Sequence, residues 1–133
     1  MKQLLNTFLF VALSIVGIAY AEDAPKQTAV KEISVQQVQQ LIDSKVKNVA
    51  ILDANNEDAR KDAGVVLGAI LLTSYNKYAL TELPKDKNTT LVFYCYNSYC
   101  QASNLAAQRA IGAGFKDARV MKAGIVGWNA AKL

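Results

Sequence analysis

The sequence contains no histidine. That removes the side chain best suited to moving protons near neutral pH, and with it the commonest metal ligand. Cysteine is scarce: there are two, Cys95 and Cys100. Two thiolates without histidine make a poor metal site, so no metal is expected. Proline occurs twice and tryptophan once, and no internal repeat or low-complexity block is present. Basic residues exceed acidic ones modestly, for a net charge of +4. The lysines are scattered and no basic stripe interleaves with aromatics, which argues against nucleic acid as a partner. Any chemistry therefore falls to cysteine, aspartate, arginine or tyrosine.

The first residues have their own character. "MKQLLNTFLFVALSIVGIAYA" places Lys2 before an uncharged apolar stretch that ends in Ala19-Tyr20-Ala21. A charged start, an apolar middle and a small-residue end form the pattern of a secretory signal peptide. The reading is a signal over residues 1–21, a polar lead over 22–32, and one domain over 33–133. Cleavage before Glu22 makes the protein exported, periplasmic or secreted, with no membrane attachment afterwards. The remaining chain is close to the usual size of a single domain.

Along that chain the elements alternate. An edge strand is expected near Val30–Ile33. In "ISVQQVQQLID", Ser34 is a good N-cap, Gln37 completes a capping box, and Ile33 can staple onto Val38. Val35, Val38, Leu41 and Ile42 share one helical face. Val49–Leu52 reads as a short buried strand that stops at Asp53. Asn56 caps a helix over Glu57–Ala63 that Gly64 ends. Gly68 marks a turn, and "YNKYALTEL" is weakly helical. "TTLVFYC" is the clearest strand. "SNLAAQRAIGAGF" reads as a helix with Leu105, Ala106, Ala110 and Ile111 toward a sheet. "DARVMK" gives a last strand and "AGIVGWNAAKL" a closing helix. Strands alternating with helices indicate an α/β fold, with a mainly parallel twisted sheet and helices on both faces.

Both cysteines lie in the loop between the clearest strand and the helix after it. Cys95 at the carboxyl edge of a parallel sheet sits where ligand sites of such sheets gather. A loop entering a helix N-terminus presents backbone N–H groups, which favour an anion and lower a thiol's pKa. The amides of Tyr96, Asn97, Ser98, Tyr99, Cys100 and Gln101 are the expected anion cradle. Three readings of the pair stand: a nucleophile with its partner, an inert disulfide, or two buried hydrophobes. A bond across so short a loop gains little from unfolded-state entropy. The spacing therefore suits thiols that meet during chemistry, with a disulfide that forms reversibly.

"ILDANNEDARKDAGVVLGAILLTS" and the run from "LVFYC" to "DARVMKAGIVGW" resemble the two halves of a rhodanese-like domain. The matching features are Asp53, Gly68-Ala69, Cys95, Ser103 with Ala106-Ala107, and Gly124 through Trp128. The resemblance implies a sulfurtransferase-type chemistry in which Cys95 is the nucleophile that accepts sulfane sulfur as a persulfide, supported by Asp53 and Ser103. Its partners would be a small sulfur donor and a thiol acceptor, or a thiol-bearing protein, with no cofactor. Cys100 has no counterpart in the basic pattern, and proximity alone makes it a resolving thiol. The chain resembles an exported single-domain subgroup with a C-x-x-x-x-C loop. Two departures bear on activity: Asn55 stands where the family often has arginine, and no charge lies between Cys95 and Ser103. The alternatives to sulfur handling are a thiol–disulfide redox module and a catalytically inactive interaction module using the same loop.

Overall fold

The computed structural model describes residues 30–131. The segment read as a signal, and residues 22–29 of the polar lead, lie outside the described residues. The described chain forms a five-stranded sheet in the order β1-β5-β4-β2-β3, with every neighbouring pair parallel. The strands are β1 (Lys31–Glu32), β2 (Val49–Asp53), β3 (Ile70–Leu71), β4 (Thr90–Tyr94) and β5 (Ala118–Val120). The helices are α1 (Val35–Asp43), α2 (Glu57–Ala63), α3 (Ala102–Gly112) and α4 (Gly124–Ala131).

Local chemistry sets the helix starts. Ser34 Oγ accepts from the Gln37 amide, and the Gln37 side chain accepts from the Ser34 amide. Asn56 Oδ1 accepts from the Ala59 amide, and Gly64 closes α2 with φ +78°. These bonds satisfy backbone groups that a helix end otherwise leaves open.

Alternation along the strands divides the interior in two. Leu52, Leu91, Phe93, Ala118 and Val120 face α3, where Ala106, Ala107 and Ala110 complete one core. Ile51, Val92 and Tyr94 face the other side, with Val35 and Val38 of α1 and Ile125 of α4. Ala63 of α2 and Trp128 of α4 pack against that second core. So α2 leaves β2 toward one face of the sheet, and α3 leaves β4 toward the other. The carboxyl ends of β2 and β4 form the kind of switch point where open α/β sheets place ligands.

Two readings of the sequence are corrected. Leu105 is exposed, not sheet-facing. The buried stripe of α3 is Ser103, Ala106, Ala107 and Ala110, small residues at helical spacing that let the helix backbone approach the sheet. The "YNKYALTEL" segment is helical only over a 3₁₀ turn at Leu80–Glu82. There the Glu82 carboxylate accepts from the Thr73 amide, the Thr73 hydroxyl and the Ala79 amide. Tyr78, in the same stretch, is fully buried and donates to the Ala106 carbonyl (2.7 Å).

Candidate active site at the carboxyl edge of β4

Cys95 follows the last residue of β4, the middle strand, and is almost fully buried. Its Sγ lies 3.3 Å from Ser103 Oγ, on the first turn of α3. Cys100 is half-buried, one residue before the helix cap Gln101. The two sulfurs are joined in a disulfide, with the Cα atoms 6.3 Å apart, inside the span such a bond requires.

The loop is held from both ends. Its near carbonyls are bound by α4, whose Ile125 amide donates to the Cys95 carbonyl (2.9 Å) and whose Val126 amide donates to that of Tyr96 (3.0 Å). Gly124 makes this approach possible. Its φ is +66°, and a Cβ there would collide with the Tyr96 carbonyl and come within 2.7 Å of the Asn97 nitrogen. Farther along, the Cys100 amide donates to the Asn97 carbonyl and the Tyr99 amide to Asn97 Oδ1, both at 3.1 Å. Two of the expected cradle amides are thus engaged in a turn around Asn97. Among the described residues the amides of Tyr96, Asn97, Ser98 and Gln101 make no hydrogen bond. Tyr99 and Ser98 face solvent, while the Tyr96 hydroxyl donates to Asp62 on α2 (2.7 Å), a bond that raises its pKa.

Asp53 ends β2 beside this loop and is completely buried. Its Oδ2 accepts from the Tyr94 hydroxyl (2.6 Å), and its Oδ1 accepts from the Asn55 amide (2.7 Å) and from Arg60 Nε (3.3 Å). Arg60 also donates to the carbonyls of Asp53 and Leu72. The Tyr94 hydroxyl accepts in turn from the Val66 amide (3.0 Å). Burial, and then the bond to Asp53, push the Tyr94 pKa well above the phenol range. Tyr94 therefore belongs to the interior rather than to the mouth of the loop. Asp53 touches no cysteine in any of these bonds; it fastens β2, β4 and the segment before β3. Asn55 Nδ2 is a buried donor without a partner.

No arginine contributes charge to the loop through any of these contacts. Arg60 holds Asp53, Arg109 holds the Tyr78 carbonyl (2.9 and 3.1 Å), and Arg119 pairs with Asp117 (2.8 Å). Among the described residues Lys122, just past β5, lines a cavity with Cys100 and Ser103. Sequence reading missed it, since a lysine two residues beyond a strand carries no signal of what lies across the sheet edge.

Comparison with known proteins places this architecture. A family model for the rhodanese-like domain matches residues 34–131. No curated protein matches the sequence. Among solved structures, a Bacillus halodurans protein superimposes with a TM-score of 0.66 at 20% identity, covering 77% of this chain and 73% of that one. A rhodanese-like domain from Anabaena gives 0.59 at 16% identity over 75% and 74% of the two chains. A human single-domain sulfurtransferase gives 0.59 at 19%, covering 76% of this chain and 96% of its own. At these identities the likeness to solved structures is one of fold.

Proposed function

Because the chain belongs to the rhodanese-like domain family, we propose that it handles sulfane sulfur through a persulfide on Cys95, in an exported setting. The observation that carries this reading is the place of Cys95: at the switch point of the sheet, at the mouth of α3, in a loop with unengaged amides. In the reduced protein the Cys95 thiolate attacks the outer sulfur of a donor R–S–SH. The S–S bond breaks, RS⁻ leaves, and Cys95 retains the transferred sulfur. Loop amides and the start of α3 stabilise the resulting anion. An acceptor thiolate then attacks that sulfur and Cys95 departs as thiolate. Ser103 Oγ, within reach of Cys95 Sγ, is positioned to hydrogen-bond the thiolate.

Thiosulfate is a dianion, and with all three arginines held elsewhere it should be a poor donor relative to polysulfide or persulfide. Sulfur transfer by the reduced chain tests the assignment. Cys95→Ala should abolish it, and Cys100→Ala should keep a measurable part. The bonded sulfurs support a second reading, a thiol–disulfide module. Equal loss from both substitutions would favour that module.

A further inference from the structure

A cavity of about 150 Å³ lies beside the disulfide, with Cys100 but not Cys95 on its wall. Gln101, Ser103 and Asn104 line it from the start of α3, Glu32 from the end of β1, and Lys122 from beyond β5. Its volume equals that of about five waters, the scale of a small amino acid. Lys122 Nζ and Glu32 Oε1 stand 3.4 Å apart, with side chains 57% and 66% exposed. An exposed pair of this kind is held weakly, so both charged ends are available to an incoming molecule. A ligand that satisfies both carries a carboxylate for Lys122 and an ammonium for Glu32. The sulfur it meets is the half-buried Cys100, because Cys95 is closed to solvent.

We infer that this cavity admits a small zwitterionic aminothiol of the cysteine type and directs its thiolate to Cys100 Sγ. The thiolate forms a new S–S bond with Cys100, the Cys95–Cys100 bond breaks, and the electron pair leaves on Cys95 as thiolate. A second aminothiol displaces the first from Cys100 as the symmetrical disulfide, leaving both protein cysteines reduced. This deepens the proposed function, since it regenerates the Cys95 thiolate that would carry sulfur, but the opening step stands without it.

The test uses the oxidised full chain and follows disulfide opening with cysteine, 3-mercaptopropionate, cysteamine and 2-mercaptoethanol, each rate expressed per thiolate. Cysteine should be fastest by a few-fold, the scale of exposed ion pairs. Lys122→Gln should slow cysteine and mercaptopropionate and spare cysteamine. Glu32→Gln should slow cysteine and cysteamine and favour mercaptopropionate. Alkylation of the partly opened protein should find the alkyl group on Cys95 and the cysteinyl group on Cys100. Equal rates across the panel, indifference to both substitutions, or a cysteinyl group on Cys95 would each overturn the inference. Sulfane-sulfur uptake by the reduced chain is measured alongside. Lost uptake with the charge preference intact removes the sulfur reading and keeps the site; intact uptake with the preference lost removes the site alone.

Discussion

Asp53 and Cys95 stand at neighbouring strand ends, yet they do different work. Asp53 is a buried carboxylate whose partners are Tyr94, Arg60 and the Asn55 amide. Removing it leaves Arg60 without its counter-charge and the Tyr94 hydroxyl without its acceptor. Loss of one member of a buried pair costs roughly 3–5 kcal/mol. The low end is expected here, because Arg60 keeps its two carbonyl bonds and reaches solvent. Asp53→Ala should therefore destabilise by about 3 kcal/mol. Tyr94→Phe strands one carboxylate oxygen and the Val66 amide and should cost roughly 1–3 kcal/mol. Urea unfolding checks both, and a smaller loss for Asp53→Ala than for Tyr94→Phe would show that Asp53 is not the hub. The position of Asp53 was legible from the apolar run it ends. Its bonding was not, because Tyr94 lies far from it in sequence and only strand pairing brings it alongside, while Arg60, seven residues on in α2, carries no sequence signal of which group its guanidinium meets.

At the scale of elements, local signals were the readable ones. The Ser34 capping box, the Asn56 cap and the Gly64 stop all concern neighbours within a few residues, and the structure has each of them. What depended on tertiary packing was harder. Leu105 drew attention for its apolarity, but α3 turns its small residues inward. Tyr78 is tied to α3 rather than placed on a helix of its own. The tie of α4 to the cysteine loop was likewise invisible, because Gly124 shows its purpose only where Tyr96 and Asn97 come against it. Gly124→Ala should cost about 1–3 kcal/mol from the left-handed backbone alone, with the clash adding to it. It should also loosen the bonds to the Cys95 and Tyr96 carbonyls. Hydrogen exchange at the Ile125 and Val126 amides would report this, and unchanged protection would contradict the role given to Gly124.

For the whole molecule, pH couples to folding through groups the fold has shifted. Burial raises the Tyr78 pKa from 10.0 to about 12, with Glu82 adding to the shift and Arg109 opposing it. The folded state thus favours the protonated phenol. That contribution is complete below pH 10 and is lost as pH rises through about 12. Tyr78→Phe should flatten the alkaline fall of the unfolding midpoint, leaving the parts due to Tyr94 and Tyr96. A slope equal to that of the native chain would exclude Tyr78 as a source. On the acid side the Arg119 bond lowers the Asp117 pKa despite some burial. Burial works against Glu82, but the bonds from Thr73 and Ala79 prevail and lower it too. Both contribute stability above the ordinary carboxylate range and lose it as pH falls through their lowered values.

Sheet order, helix placement and the α4 tie all converge on the Cys95 sulfur. The direct measurement is the mass of the reduced full chain after exposure to polysulfide, removal of excess and alkylation, with fragment masses locating any addition. The expected result is one added sulfur, on Cys95, in Cys100→Ala and none in Cys95→Ala; in the native chain attack by Cys100 releases that sulfur as hydrosulfide and closes the disulfide. Sulfur found on Cys100 alone in the native chain, or no sulfur on Cys95 in Cys100→Ala, would contradict a persulfide on Cys95.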